Sequence, residues 1–189
     1  RYVSYETLKG GFGARPVKDG ITGLASGISN TMNTPIEVLE MSFPVRVERY
    51  AIVPDTGGPG RFRGGCGVER VWRILGQPSH ASVCLERTKS APFGLAGGRA
   101  GAPGRITLAG PEGAERELVS KGAFTAAPGT AIHLRAPGAG GFGEATARTR
   151  ERVRDDVING YVSPGAAAAQ YGQRAPADLT CPACRAASA

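Results

Sequence analysis

Histidine, cysteine and aromatic side chains are all scarce in this chain, and each scarcity narrows what the chain can be. Only 4 Cys occur in 189 residues. That is too few for a disulfide framework, so a reducing, cytoplasmic setting is expected. The 2 His, His80 and His133, fall on expected strands or their edges with no ligand spacing around them. A core or surface role suits them better than catalysis. Aromatic residues make up 6% of the chain, and they do not interleave with basic residues in a patch. The net charge of +7 therefore reads as a solvated basic surface or a face for an acidic subunit, and nucleic-acid binding is not expected. No apolar run reaches 18 residues, so no membrane span is expected, and no signal peptide is recognisable. Because the chain opens on Arg1 and reads like strand interior as far as Tyr5, a fragment or a processed product is expected.

Glycine and proline, by contrast, are abundant. With 29 Gly, 14 Pro and 41% hydrophobic residues, the chain should fold around one core built from short elements and many tight turns. The densest stretch runs from Tyr5 to Phe43. It holds glycines at 10, 11 and 13, a run of small polar residues that includes Ser26, Ser29, Asn30, Thr31 and Asn33, and then Thr34-Pro35-Ile36-Glu37. This last tetrapeptide predicts a helix from Pro35 to about Met41, with Thr34 as N-cap, Pro35 at N1 and Glu37 closing a capping box. Pro44 ends it.

Past Pro44 the apolar period changes to two. Val45, Val47, Ala51 and Val53 share one expected face, and a second strand runs from Val68 to Leu75. Further strands are expected at Ala81 to Glu86, Arg105 to Ala109, Glu117 to Lys121 and Thr130 to Arg135. Helix returns at Glu144 to Asn159, and again from Ser163-Pro164 to a stop at Gly172. The expected fold is α+β and mostly β. It is an antiparallel, sandwich-like sheet or distorted barrel with one short internal helix and C-terminal helices. The division is residues 1–143 as a β-rich part with glycine loops, 144–172 as a helical segment and 173–189 as a loose tail.

Two motifs invite ligand readings. Gly138 to Gly143 matches G-x-G-x-x-G between a strand and a helix, the setting of a dinucleotide loop. Pro137 opens it, however, and neither a second parallel strand nor a ribose-binding acid follows, so a structural turn is expected. Cys181 and Cys184 form a lone C-x-x-C, half of a zinc site without its other half, and no metal site is expected. Neither Cys66 nor Cys84 has a base beside it to make it a nucleophile.

Taken in order, Tyr5-Glu6-Thr7, the run from Gly10 to Pro16, Asp19-Gly20, Asn30-Thr31, Asn33 to Glu37, Tyr50, Pro54 to Gly65, Gly94-Leu95, Gly97-Gly98, Gly101 to Gly104, Pro137 to Gly143, Asp156-Val157, Gly160 to Pro164 and Tyr171-Gly172 closely resemble the C-terminal third of the hydantoinase B / 5-oxoprolinase family. The resemblance covers Tyr2 to about Gly172. It implies a subunit of an ATP-dependent cyclic-amide hydrolase acting on hydantoins or 5-oxoproline, catalytically incomplete on its own. It would work with a hydantoinase A-type subunit carrying ATP and Mg, and with the remaining N-terminal part of its own subunit, where any divalent metal would sit. An acetone or acetophenone carboxylase-like subunit, or a non-catalytic assembly module, are the alternatives. Relatives place two histidines where Ala25 and Gly27 stand here, a departure that favours the carboxylase-like or altered-substrate reading. For substrate contact the expected residues are Arg15, whose planar fork suits a carboxylate or phosphate, together with Asp19, Ser26, Asn30 and Asn33.

Overall fold

In the computed structural model, residues 3–26, 28–29, 31–118 and 120–173 are described. Among them, seven strands, three α-helices and one 3-10 turn follow in chain order. They are α1 (Ile36–Ser42), β1 (Val45–Ile52), β2 (Val68–Ile74), β3 (Ser79–Cys84), β4 (Arg105–Ala109), β5 (Glu115–Glu117), β6 (Lys121–Ala126), β7 (Ala131–Arg135), the turn Ala145–Ala147, α2 (Arg150–Ile158) and α3 (Pro164–Tyr171). The expected mostly-β, antiparallel architecture with short helices is the one adopted. Five strands form an open sheet in the order β1-β2-β7-β4-β5, and β3 pairs with β6 as a separate ribbon.

The period-two pattern explains the main sheet. Ile74, Leu108 and Ile132 are buried on one face, where Ala126 and Phe124 of the ribbon pack against them. Such a face needs a second layer to exclude water, and the ribbon supplies part of it. A second core lies in the C-terminal segment, where Ala145, Val153, Val157, Val162, Ala167 and Tyr171 are buried together.

Four details depart from the sequence reading. In β1 the register shifts between Val47 and Arg49, so Tyr50 and Ile52, paired with Arg70 and Val68, join the face of Val45 and Val47. The bulge inverts the alternation, and Ala51 moves to the opposite face from the one expected. The single strand expected over Glu117 to Lys121 straddles a junction: β5 ends at Glu117 and β6 starts at Lys121. The helix expected from Glu144 begins only at Arg150, because Arg148 and Thr149 are extended. The extended Arg148 reaches Asp19 and Asp156 with its guanidinium. Finally, α1 has no side-chain cap; the Thr34 hydroxyl donates to Glu6 Oε1 at 2.6 Å. The helix starts one residue later than the capping box required, with Pro35 at the N-cap, and the Thr34 hydroxyl serves a distant carboxylate instead of the α1 backbone.

Much of what remains is a layer of glycine-rich backbone. Gly11 N–H donates to Pro137 O, Gly65 to Phe12 O, Ala139 to Gly65 O, Gly58 to Ala139 O and Gly141 to Arg99 O, each at 2.7–3.0 Å. Side chains would hold these backbones apart. A Cβ on Gly64 would sit 1.9 Å from Ala139 O, and one on Gly138 or Gly140 would sit 1.8 Å from Thr56 O or Phe93 O. The G-x-G-x-x-G stretch is thus structural, but as the extended centre of this layer, not as a turn leading into a helix. Protein backbone fills the space that a phosphate would need.

Candidate functional site

Of the expected site residues, Asp19 and Asn33 fall in two separate polar clusters, and Ser26 in neither. No side-chain hydrogen bond or ion pair among the described residues joins any two of Arg15, Asp19, Ser26 and Asn33. Asn30 lies outside the described residues, as do Gly27, Cys181 and Cys184.

Asp19 belongs to a buried ionic knot. Arg148 donates to its two oxygens at 2.7 and 2.9 Å, and the backbone N–H of Arg63 donates to Oδ1 at 2.7 Å. The same Arg148 reaches Asp156 Oδ2 at 2.9 Å, and Arg63 Nε reaches Asp156 Oδ1 at 3.1 Å. Burial alone would raise the Asp19 pKa, but the hydrogen bonds and charges of Arg148 and Arg63 outweigh it and hold the carboxyl below its usual range. For Asp156 burial prevails, and its pKa is pushed up despite the two arginines. Every charge in the knot has an opposite partner, which is what an ion cluster in a low-dielectric interior requires. Its chemistry is structural. It fastens the turn carrying Arg15 to the Arg61-Phe62-Arg63 loop and to α2, while the Arg15 side chain itself is exposed.

The second region is a ring of polar side chains around Arg70. That residue is 1% exposed and sits between two aromatic rings, its guanidinium carbon 5.1 Å from the centroid of Tyr50 and 5.1 Å from that of Trp72. Its Nη1 donates to Glu6 Oε2 at 2.9 Å, and Thr34 donates to the other Glu6 oxygen. Asn33 closes the ring by donating from Nδ2 to Tyr50 Oη at 2.5 Å. Three buried atoms in this ring have no partner among the described residues: Arg70 Nε, Arg70 Nη2 and Asn33 Oδ1. Beside it, the buried Lys9 donates to the Thr31 carbonyl.

Of the expected residues, the structure thus places Asn33 at a half-satisfied polar cluster. Ser26 lies apart, within hydrogen-bond distance of Ser29 Oγ at 3.3 Å. Arg70, Glu6 and Tyr50 were absent from the expected site. The usable signal was an arginine at the buried parity of β2, in line with Val68, Trp72 and Ile74. Among the described residues no three His, Cys, Asp or Glu side chains converge as a metal ion would need.

Known proteins share both the sequence and the fold. Residues 1–145 match the family described as Hydantoinase B/oxoprolinase. The putative B-type subunit of a D-/L-hydantoinase from Pseudomonas sp. (strain NS671) is 34% identical over 173 residues, covering 90% of this chain and 29% of the relative. The crystal structure of the ATP-dependent caprolactamase from Pseudomonas jessenii superposes with a TM-score of 0.75 at 30% identity, over 90% of this chain and 30% of that one. An acetone carboxylase in its nucleotide-free form shares the fold, with a TM-score of 0.73 at 22% identity over 90% of this chain and 27% of that one. The chain therefore spans less than a third of each of these three proteins.

Proposed function

Since the chain belongs to the hydantoinase B/oxoprolinase family, we propose that it is the C-terminal portion of a B-type subunit in an ATP-dependent cyclic-amide hydrolase. The observation that carries this reading is the match to a B-type hydantoinase subunit along 90% of the chain. The common fold with an ATP-dependent caprolactamase supports it. In the reaction, the γ-phosphoryl group of ATP passes to the amide oxygen and ADP leaves. Water then adds to the activated carbon, the ring C–N bond breaks, and phosphate, a carboxylate and an amine are released.

The one glycine motif of dinucleotide spacing among the described residues is filled by the backbones of Thr56 and Phe93. In this reading ATP and Mg belong to an A-type partner subunit, and any divalent metal to the remaining part of the B-type subunit. No step is routed through this chain toward either. Its part is to wall the substrate site: Arg15, Ser26, Asn30 and Asn33 supply directional hydrogen bonds, and Asp19 fixes the turn that presents Arg15. Tyr5, Ile28, Met32 and Met41, each more than four-fifths exposed, fit a surface that the rest of the assembly covers.

Reconstitution with an A-type subunit and the rest of the B-type subunit tests the reading. ADP release that depends on a lactam or hydantoin, with equimolar ring opening, is expected. ATP turnover that needs bicarbonate and a ketone would replace it with the carboxylase. If Arg15→Ala and Asn33→Ala both left turnover and KM unchanged, the wall assignment would be wrong.

A further inference from the structure

Residues 11–22 form a hairpin with an exposed tip. Phe12 N–H donates to Ile21 O at 2.8 Å, and Arg15 and Lys18 exchange backbone hydrogen bonds at 2.9 and 3.3 Å, so Pro16 and Val17 make a two-residue turn. The base is tied down: Ala14 N–H donates to Gly140 O, Gly20 N–H donates to Arg63 O, and Asp19 is held by Arg148. The tip is left to solvent. Arg15, Pro16, Val17 and Lys18 are all exposed, and the aliphatic side chain of Val17 is 74% exposed. A single exposed valine needs no explanation by itself. Its setting does.

That setting is cationic. Arg15 and Lys18 are directly opposed across the hairpin, and residues so opposed project from the same face. Asp19, next to Lys18, lies 3.9 Å from Arg152. Arg152 and Arg61 in turn stand against one ring, their guanidinium carbons 5.2 and 5.6 Å from the centroid of Phe62. All four cations are exposed. Among the described residues Arg15, Lys18 and Arg61 enter no ion pair, and Arg152 pairs only with Asp19, whose two oxygens Arg148 already holds. The exposed carboxylates of the neighbouring segment, Glu144, Glu151 and Asp155, pair with none of them. The knot beneath is internally balanced, Arg63 and Arg148 against Asp19 and Asp156, so the four cations stand as net positive charge. Like charges gathered without counter-charges focus a positive potential over the tip.

We propose that the hairpin tip is a docking surface for an acidic face of the partner subunit: Val17 enters an apolar hollow there, and Arg15, Lys18, Arg61 and Arg152 meet carboxylates on its rim. The inference rests on the cyclic-amide reading above, from which it takes the A-type subunit as partner. A separate partner fits a relative that is itself a B-type subunit. Tyr5, Ile28, Met32 and Met41 suit a permanent apolar contact, whereas one aliphatic knob among cations suits an encounter steered by charge. A nucleic acid suits the patch less well, because its aromatic ring, Phe62, is 8% exposed and offers no face for base stacking. With the tip docked, Arg15 stands at the junction, so the substrate wall proposed above borders the subunit that carries ATP.

The test measures association of the A-type subunit with the B-type subunit that contains this chain, by biolayer interferometry at about 50 and about 500 mM salt. The association rate constant should fall about 10-fold or more between the two salts, and about 5- to 50-fold at the lower salt in Lys18→Glu, Arg61→Glu or Arg152→Glu. Val17→Ser should instead raise the dissociation rate about 3- to 30-fold and leave association nearly unchanged. Arg116→Glu, the same charge reversal on the exposed strand β5, should leave both rates as in the wild type. Salt-independent association, tip variants that bind like the wild type, a control as slow as they are, or no association at all would each overturn the docking surface. So would tighter binding of a DNA duplex than of the A-type subunit, which would give the patch to nucleic acid. Arg152 adjoins the buried knot; should its variant fold poorly, Lys18→Glu and Val17→Ser at the exposed tip decide the question. Docking by these rules without turnover in the reconstituted complex would retain the surface and reject the hydrolase reading. Lactam-dependent turnover with unaltered association in every variant would do the reverse.

Discussion

Arg148 grips both carboxylate oxygens of Asp19 across 129 residues of chain, at 2.7 and 2.9 Å. The same side chain, 1% exposed, also holds Asp156. Substituting Arg148 by Met leaves two carboxylates facing each other through Arg63 alone, and we expect a loss of about 3–5 kcal/mol. Urea denaturation followed by circular dichroism will show a lower midpoint with an unchanged slope. A loss under about 0.5 kcal/mol would mean the knot is not formed.

Acid should loosen this knot in a definite direction. The Asp19 pKa is depressed in the folded chain, so its contribution is complete above the unfolded carboxylate value and is lost as pH falls through the folded one. Asp156, pushed up by burial, has the opposite linkage and takes up a proton more readily folded than unfolded. Replacing Asp19 by Asn should therefore lower stability at pH 7 and flatten its decline below about pH 4. Stability measured from pH 2 to 7 checks this. A variant acid limb as steep as the wild type would assign the loss to other carboxylates.

Gly64 and Gly13 separate packing from flexibility. A Cβ at Gly64 meets the Ala139 carbonyl at 1.9 Å, whereas nothing lies within 4 Å of one at Gly13. Gly64→Ala should lose about 1–3 kcal/mol or more, since backbone and not a flexible side chain must move. Gly13→Ala should be neutral or stabilising by up to about 1 kcal/mol, through the unfolded state. Thermal melts of the two variants side by side decide it, and equal melting temperatures would contradict the glycine layer.

The thiols Cys66 and Cys84 should differ in reactivity as they differ in burial. Cys66 is 0% exposed, and burial pushes its pKa up in spite of the neighbouring Arg63. Cys84 is exposed at the end of β3. Iodoacetamide at pH 8, mapped by mass spectrometry, should modify Cys84 within minutes and Cys66 only when denaturant is added. Comparable native-state rates at both would show that the 54–67 loop opens.

Local features of the fold were legible in the sequence, and tertiary ones were hidden. Ser163-Pro164 starts α3 as expected, with the Ser163 side chain accepting from Ala166 N and Gly172 closing the helix at φ 66°. These signals reside within a few residues and need no partner. The β1 bulge, the break at Arg148 and the loss of the Thr34 cap each depend on a group far away in the chain: β2, Asp19 and Glu6 respectively. Asn33 was found because amides are recognisable hydrogen-bonding residues anywhere. Arg70 was not, because an arginine within a strand reads as solvent-facing until its aromatic neighbours and the Glu6 carboxylate are in place.

Thr34 offers a direct contest between the local and the tertiary reading. As a helix cap, its hydroxyl would act through the α1 backbone and its removal would be indifferent to Glu6. In the structure the hydroxyl donates to Glu6, which in turn holds Arg70. Thr34→Val and Glu6→Gln should each destabilise the chain, Thr34→Val by about 1 kcal/mol, and the double variant should lose less than the sum. A coupling of at least about 0.5 kcal/mol is expected from a shared hydrogen bond. Strict additivity in the four-variant cycle would return Thr34 to the capping role and detach the 31–34 segment from the Arg70 ring.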